Sequence, residues 1–227
     1  ITLYNGDPDQ KITLTSSPYD WMEASFFYMN IEDKQQCRTN IQAEIFCQGY
    51  KDKGFNFKIR LKEEGIWPAI AIGINDIAGT AFYSSEYIIG SYGINNLDFH
   101  FGLTWGTLNG SNSSFKNPLG YISDKFYDRP DIIDNGGDFQ PSRYFSGEES
   151  SPFLGFTYAP NNKILFKFET DNTVTPGKVG YERSKSNYSF GIDYSINNNF
   201  SVGIANERDT YLSCLLYTSD AADDPTC

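Results

Sequence analysis

Residues 55–62 read Phe-Asn-Phe-Lys-Ile-Arg-Leu-Lys, so apolar and polar side chains alternate strictly along this stretch. A β-strand points successive side chains to opposite faces, and this period of two predicts a strand with one apolar and one cationic face. Residues 97–106, Leu-Asp-Phe-His-Phe-Gly-Leu-Thr-Trp-Gly, alternate in the same way. Residues 164–169 and 188–196 repeat the pattern, which therefore extends over most of the chain.

Short runs rich in asparagine separate these segments. Asn95-Asn96, Pro160-Asn161-Asn162 and Asn197-Asn198-Asn199 tolerate the positive φ of tight turns, and tight turns join antiparallel neighbours. Weaker strands are predicted at Tyr19–Ile31, Trp67–Ile74, Ser84–Ile94, Phe153–Ala159 and Phe200–Ala205. The sequence therefore predicts an all-β antiparallel meander.

The composition narrows the possible classes of protein. Aromatic residues make up 16% of the chain, while the hydrophobic total of 39% lies below the globular norm of roughly 45–50%. This balance fits an outer-membrane-type β-barrel with rings facing lipid, and it also fits a soluble β-sandwich. The net charge of −11 argues against a nucleic-acid partner. Apolar runs such as Ile70–Ile74 are too short for a membrane-spanning helix.

One long segment interrupts the alternation. From about residue 108 to 151 the chain is rich in Asn, Ser, Asp, Gly and Pro. Membrane barrels carry long loops opposite short turns, and a loop of this length suggests a function. Its several aromatic rings favour an ordered loop over a disordered insertion.

Both ends of the chain have unusual sequences. The chain opens at Ile1 without a methionine, and residues 214–224, Cys-Leu-Leu-Tyr-Thr-Ser-Asp-Ala-Ala-Asp-Asp, resemble the translation of a sequencing adapter. We therefore expect a barrel fragment over residues 1–213 and a non-native tail over 214–227. The natural alternative is a disordered acidic tail. Two artificial boundaries predict a barrel that could be incomplete, with an unclosed sheet.

Eight stretches of the chain carry a recognisable pattern, namely residues 51–61, 67–69, 76–87, 97–106, 115–118, Arg129, 136–137 and 144–147. Together they resemble the YjbH family of exopolysaccharide-biosynthesis outer-membrane proteins. They occur in family order over roughly residues 19–170, which makes the match more specific than one short motif. Two features depart from the family: the segment Gln35–Gln48 is not typical of it, and its members are usually longer.

The resemblance implies a non-catalytic β-barrel in the outer membrane of a Gram-negative bacterium. Its partners would be outer-membrane lipid, an extracellular polysaccharide and other export components, and no cofactor is implied. Two other functions remain open on the residues alone. One is a glycan-modifying enzyme, and the other is a soluble β-sandwich that acts as an adhesin or glycan-binding module.

Cys37 and Cys47 are expected in a loop between strands. An extracytoplasmic compartment permits a disulfide between them, and two free thiols are the alternative. A metal site is not predicted, because no CxxC pair and no nearby histidine supply the remaining ligands.

Six residues are candidates for contact with a polysaccharide. Lys58, Arg60 and Lys62 share one face of a strand and would attract an anionic glycan, or else form an internal salt-bridge network with acidic residues such as Asp98 and Glu169. Trp105, Tyr121 and Tyr144 could stack on sugar rings, although aromatic girdles place rings similarly for structural reasons.

The family-like run from residue 76 to 87 is predicted to be structural. Asp76, Gly79 and Thr80 would form a turn, with positive φ at Gly79 and the Asp76 carboxylate capping backbone amides. The next strand would then begin with the residues Ser84, Ser85, Glu86 and Tyr87. Glu86 would face a polar lumen or pair with Lys58, Arg60 or Lys62.

Catalysis has little support in the sequence. Asp76 and Glu86 could form the paired carboxylates of a glycosidase, but such pairs are common by chance in an acidic chain. His100 is the single histidine, and no GxSxG elbow presents a serine to it.

Overall fold

The protein is described here from a computed structural model that covers residues 1–6, 9–39, 44–110, 115–130, 139–174 and 184–218. The strands in chain order are β1 (Thr2–Gly6), β2 (Asp9–Tyr19), β3 (Met22–Thr39), β4 (Ile45–Lys62), β5 (Ala69–Ile77), β6 (Ser85–Ile94), β7 (Leu97–Gly106), β8 (Phe115–Lys116), β9 (Glu149–Asn161), β10 (Ile164–Thr170), β11 (Tyr188–Asn197), β12 (Phe200–Glu207) and β13 (Tyr211–Thr218). Short 3₁₀ helices cover Pro118–Tyr121, Asp124–Tyr127 and Pro141–Arg143. Within these residues no helix is long and apolar enough to cross a membrane.

Twelve of the strands close into a barrel. Each strand pairs antiparallel with its neighbours in the chain, except that β9 follows β7 in the ring and β13 returns to pair with β1. The two-residue strand β8 adds only to the end of β9. The predicted antiparallel all-β barrel is confirmed. The expectation of an unclosed sheet is wrong, because Thr2–Gly6 pairs with Tyr211–Leu215, and the soluble β-sandwich is excluded with it.

The outer face of the barrel is apolar all the way round. Every barrel strand exposes at least one large apolar side chain on this face, and Phe101 and Phe190 are 46% and 58% exposed. One example from each strand is Leu3, Ile12, Phe26, Phe55, Ile70, Ile94, Phe101, Leu154, Phe166, Phe190, Ile204 and Leu216. Rings of adjacent strands also pack side by side, as Phe168 does between Phe156 and Phe190 at 5.2 and 5.1 Å.

The inner face is polar and carries both signs of charge. Alternation turns Lys58 and Arg60 of β4, His100 of β7 and Lys167 of β10 toward the interior. The Lys167 ammonium forms an ion pair of 2.5 Å with Asp193 of β11. A barrel therefore positions side chains from distant parts of the sequence around one interior.

Strands β3 and β4 extend beyond their other neighbours as a two-stranded ribbon. Pairing with β2 ends at Ile31, and pairing with β5 ends at Phe55, but residues 35–39 continue to pair with 45–49. A disulfide joins Cys37 and Cys47, which lie directly opposite each other. The predicted inter-strand loop at these cysteines is therefore wrong, because both lie within strands.

The boundary expected at Cys214 falls inside β13. Residues 214–218 pair with β12, and Cys214 and Leu215 also pair with β1. The non-native origin of this segment stays a prediction, and residues 219–227 lie outside the described part of the chain.

We expect the paired substitution Cys37→Ala and Cys47→Ala to loosen the ribbon and to leave the barrel folded. An isolated two-stranded ribbon is marginally stable, so the cross-link supplies much of its order. Limited trypsin digestion should then cut faster after Arg38, which is exposed in the ribbon. Cys214→Ala is the matched control, because this cysteine is free and exposed. Equal cleavage rates in all three proteins would contradict the prediction.

Candidate functional site

Three cavities follow one another along the inside of the barrel. The first, about 270 Å³, includes Lys11, Asp76 and Tyr83 in its lining. The second, about 440 Å³, shares Glu207 and Arg208 with the first. The third, about 340 Å³, shares Lys58, Ile89 and Ser91 with the second and reaches the short turn between β2 and β3. The interior is therefore a series of chambers lined by both polar and apolar groups.

The predicted cationic face divides between two environments. Lys58 lines the second and third cavities, and Arg60 lines the third. Lys62 lies at the exposed end of β4, with its ammonium 6.0 Å from the centre of the Trp67 ring. The structure thus brings Lys58 and Arg60 to the interior and leaves Lys62 outside the cavities.

The salt-bridge network expected for this face does not form among the described residues. Arg60 pairs with Glu63 at 3.4 Å, and both side chains are substantially exposed. Asp98 instead accepts a hydrogen bond from the Thr157 hydroxyl at 3.3 Å. Glu23 lies directly opposite Lys58 in the register of β3 and β4, but the two form no ion pair.

Residues 78–84, here called the plug loop, fold into the first chamber between β5 and β6. The Thr80 hydroxyl donates to Asp52 at 2.9 Å, and the Tyr83 backbone N–H donates to Asp76 at 3.0 Å. Asp52 and Asp76 are both buried. The expected capping role of Asp76 is thus present, with Tyr83 as the amide donor.

The side chains of the plug loop complete an apolar cluster inside the barrel. Phe82 packs with Phe27, Met29 and Ile31, all nearly fully buried. The Tyr83 hydroxyl donates to Asp9, to which Tyr211 also donates at 2.7 Å. Burial, followed by the nearby Asp9 carboxylate, raises the pKa of Tyr83, which keeps its hydroxyl protonated as a donor.

The plug loop uses backbone conformations that its sequence did not reveal. Positive φ was expected at Gly79 but is found at Asp76, Ala78 and Ala81, with values of 60°, 56° and 62°. Gly79 is needed for a different reason, because a side chain there would collide with the Asp76 carboxylate and the Lys53 carbonyl. Non-glycine residues in this region are strained and persist only where surrounding contacts hold them.

A second cluster lies on the outer wall, where the described parts of the connection from β7 to β9 pack, namely residues 107–110, 115–130 and 139–148, which are together called the long loop. Ser85 lines the interior, so alternation turns Glu86 to the outer face, opposite Trp105. Both side chains are fully buried, although Phe99 and Phe101 on the same face of β7 are exposed. The long loop therefore packs against the outside of the barrel at this end.

A buried ion pair fixes the long loop to the wall. Arg129 donates from its two terminal nitrogens to the two Glu86 oxygens at 2.8 and 3.0 Å. The same guanidinium donates to the carbonyls of Ser84, Arg143 and Ser146. Such bidentate pairing fixes orientation as well as position. The partner of Glu86 is thus Arg129 rather than a lysine or arginine of β4.

The inside of the long loop is organised by Asn117, which is fully buried. Its amide donates to the carbonyls of Phe126, Phe145 and Gly147, each at 3.0 Å, and its carbonyl oxygen accepts from the Leu119 N–H. Asn117, Arg129 and residues 145–147 all belong to the family-like runs. The described part of this loop is therefore ordered, while residues 136–137 lie outside the described chain.

The three aromatic candidates have different surroundings. Trp105 is fully buried and packs edge to face on Phe145 at 5.3 Å, so it cannot stack on a sugar ring in this arrangement. Tyr144 is half-buried beside Phe139 at 5.6 Å. Tyr121 is 81% exposed on the long loop. These rings do not share one surface with Lys58 and Arg60.

The geometry does not bring Asp76 and Glu86 together as paired carboxylates. Asp76 faces the interior, whereas Glu86 lies on the opposite face and is bound by Arg129. The two carboxylates therefore cannot flank one glycosidic bond. His100 accepts or donates a hydrogen bond of 2.9 Å with Ser91 in the second cavity. Across the described residues, no group of three or more His, Cys, Asp or Glu side chains is placed to hold a metal ion.

We expect Glu86→Gln to reduce the free energy of unfolding by about 3 kcal/mol, because it leaves a largely buried guanidinium without its counter-charge. Urea unfolding of the protein in detergent micelles measures this change. Glu63→Gln is the matched control, since it removes an exposed ion pair and should cost under about 1 kcal/mol. Equal effects of the two substitutions would show that Glu86 and Arg129 do not form the main attachment of the long loop.

A third polar cluster joins the β10–β11 connection to the β12–β13 turn. Arg208 donates to Asp171 at 2.9 Å and lies 3.6 Å from Glu207. Burial alone would raise the pKa of Asp171, but Arg208 and hydrogen bonds from Thr173 outweigh it and hold that pKa below its usual value. Neither residue stands in a short motif, so sequence inspection did not identify the pair.

This lowered pKa predicts acid sensitivity. A carboxyl group whose pKa is lowered on folding stabilises the protein fully at pH values above its unfolded pKa, which is about 3.9 for aspartate. This stabilisation is lost as the pH falls through the pKa of the folded state. We expect Asp171→Asn to destabilise the protein at pH 7 and to flatten the loss of stability below about pH 4. Urea midpoints across this range test both effects. A variant that keeps the wild-type acid dependence would rule out this role for Asp171.

Comparison with known proteins agrees with the family-like runs. The model of the family YjbH, described as "Exopolysaccharide biosynthesis protein YbjH", matches residues 1–219. The "Uncharacterized lipoprotein YjbH" of Escherichia coli (strain K12) is 33% identical over 213 residues, which cover 92% of this chain and 30% of that protein. The chain thus spans about 30% of the length of this curated relative. A NanC porin structure is 11% identical, with a TM-score of 0.48 and coverage of 96% of this chain and 97% of that one.

Proposed function

Because the chain belongs to the YjbH family of exopolysaccharide biosynthesis proteins, we propose that it forms a non-catalytic outer-membrane β-barrel that assists production or export of an extracellular polysaccharide. The observation that carries this proposal is the closed barrel with an apolar outer face and a polar, mixed-charge interior. A closed barrel satisfies the backbone hydrogen bonds of its strands without water, and alternation directs the apolar side chains to lipid.

The connections between strands support an orientation. Four of them, at 20–21, 95–96, 162–163 and 198–199, contain only two residues and lie at one end of the barrel. The plug loop, the long loop and residues 171–174 and 184–187 lie at the other end. Outer-membrane barrels place short turns in the periplasm and long loops outside the cell. The long-loop end is thus the extracellular end in this proposal.

The interior suits a hydrated polymer better than a chemical reaction. The second and third cavities are lined by ammonium, guanidinium, hydroxyl and carboxylate groups, which exchange hydrogen bonds with sugar hydroxyls. At the opposite end, Phe82 of the plug loop packs in an apolar cluster beside the first cavity. Among the described residues, the plug loop therefore narrows the interior at the end proposed to be extracellular.

We expect the protein to fractionate with outer membranes and to migrate faster on gels before heating than after it, as a folded barrel does. Deleting its gene should reduce the polysaccharide released into the medium. Recovery among soluble periplasmic proteins would overturn the membrane location. Incubating the purified protein with labelled polymer provides the separate test for catalysis, since any change in chain length or substitution would support the enzyme instead.

A further inference from the structure

We propose that the second and third cavities together form a binding site for an acidic sugar residue, whose carboxylate pairs with Lys58. This inference rests on the proposed function and names the class of glycan that the interior accepts. It selects Lys58, with Arg60 beside it, from the cationic face of β4 and excludes Lys62.

The side chains on the wall that faces Lys58 are small and leave space for a ligand. Small residues on the inner faces of β9, β11 and β12 line the second cavity, namely Gly155, Thr157, Ser189, Gly191 and Ala205. The resulting space of about 440 Å³ lies within the size range of small-molecule sites, which is roughly 300–1,000 Å³. The third cavity continues this space toward the short-turn end, so a sugar residue can enter from that side.

Among the described residues that line the second cavity, Lys58 is the cation that forms no ion pair with a carboxylate. Lys167 pairs with Asp193, and Arg208 pairs with Asp171 and Glu207. Among the described residues Lys58 forms no ion pair, although Glu23 lies opposite it on the neighbouring strand. Its ammonium group is therefore available to a carboxylate that arrives with the ligand.

The other groups of the chamber match the rest of a sugar. The hydrogen-bonded pair Ser91 and His100 and the hydroxyl of Thr157 lie in the lining with Lys58. Glu23 and Glu169 offer acceptors for sugar hydroxyls, and the Glu23 carboxylate opposite Lys58 also repels negative charge. Binding should consequently be weak, which suits a polymer that must leave the site again.

The test measures binding of trigalacturonate, an acidic trisaccharide, to the full chain in detergent micelles, with maltotriose as the neutral probe. Lys58→Gln should weaken trigalacturonate binding about tenfold, the loss expected for one charge-assisted hydrogen bond. Lys62→Gln is the matched control, because it removes the same charge from the same strand outside the cavities, and it should leave binding unchanged. Lys58→Arg should largely restore binding.

Three results would overturn the inference. The first is trigalacturonate binding that Lys58→Gln leaves unchanged, the second is an equal loss in Lys58→Gln and Lys62→Gln, and the third is maltotriose binding as tightly as trigalacturonate. Heat-dependent gel migration reports whether each variant is still a folded barrel, and the result for Lys58→Arg decides the matter if Lys58→Gln unfolds. Membrane fractionation tests the proposed function independently. A barrel that is found in the outer membrane but does not bind acidic sugars would refute the binding site and leave the proposed function standing.

Discussion

The pairing of β1 with β13 is the constraint on which the rest of the structure depends. It joins Thr2–Gly6 to Tyr211–Leu215 and turns a meander of hairpins into a ring. Without it, two strand edges would carry unpaired backbone groups, which is costly in lipid and promotes aggregation in water. Closure also separates the two faces of every strand. One face then lines a shared interior, and the other face points outward, so alternating side chains fall into two different environments.

The two ends of the barrel differ in how their connecting loops are held in place. At the long-loop end, the plug loop is held inside by the buried carboxylates Asp9, Asp52 and Asp76 and by the packing of Phe82. The long loop instead lies on the outside, held by the buried pair Glu86 and Arg129. Both attachments use polar groups removed from water, so each depends on keeping its hydrogen-bond partner. The short-turn end carries mostly two-residue connections and leaves the third cavity accessible.

Sequence reasoning predicted strands at β3 to β7 and at β9 to β12, and it missed β1, β2, β8 and β13. Residues 55–62 and 97–106 fall in β4 and β7, as expected, and Lys58 and Arg60 face the interior. The short strand β1 was not predicted, because five residues give too little pattern, and the ribbon around Cys37 and Cys47 was mistaken for a loop. The motif residues Ser84 and Glu86 and the loop residue Arg129 were identified separately, but no short-range signal indicated that they bind one another.

The sequence by itself determined the β architecture, the antiparallel order and the family, because alternation, turn residues and extended motifs are local properties of the chain. Only the tertiary structure decided that the ring closes, that Glu86 pairs with Arg129 on the outer wall, and that Lys58 rather than Lys62 lies in a cavity. These outcomes depend on the register of strands and on loop packing between residues far apart in sequence. Such contacts depend on how all the strands of the closed barrel are paired. If the pairing of one strand shifted by one residue, the inner and outer faces of that strand would be exchanged.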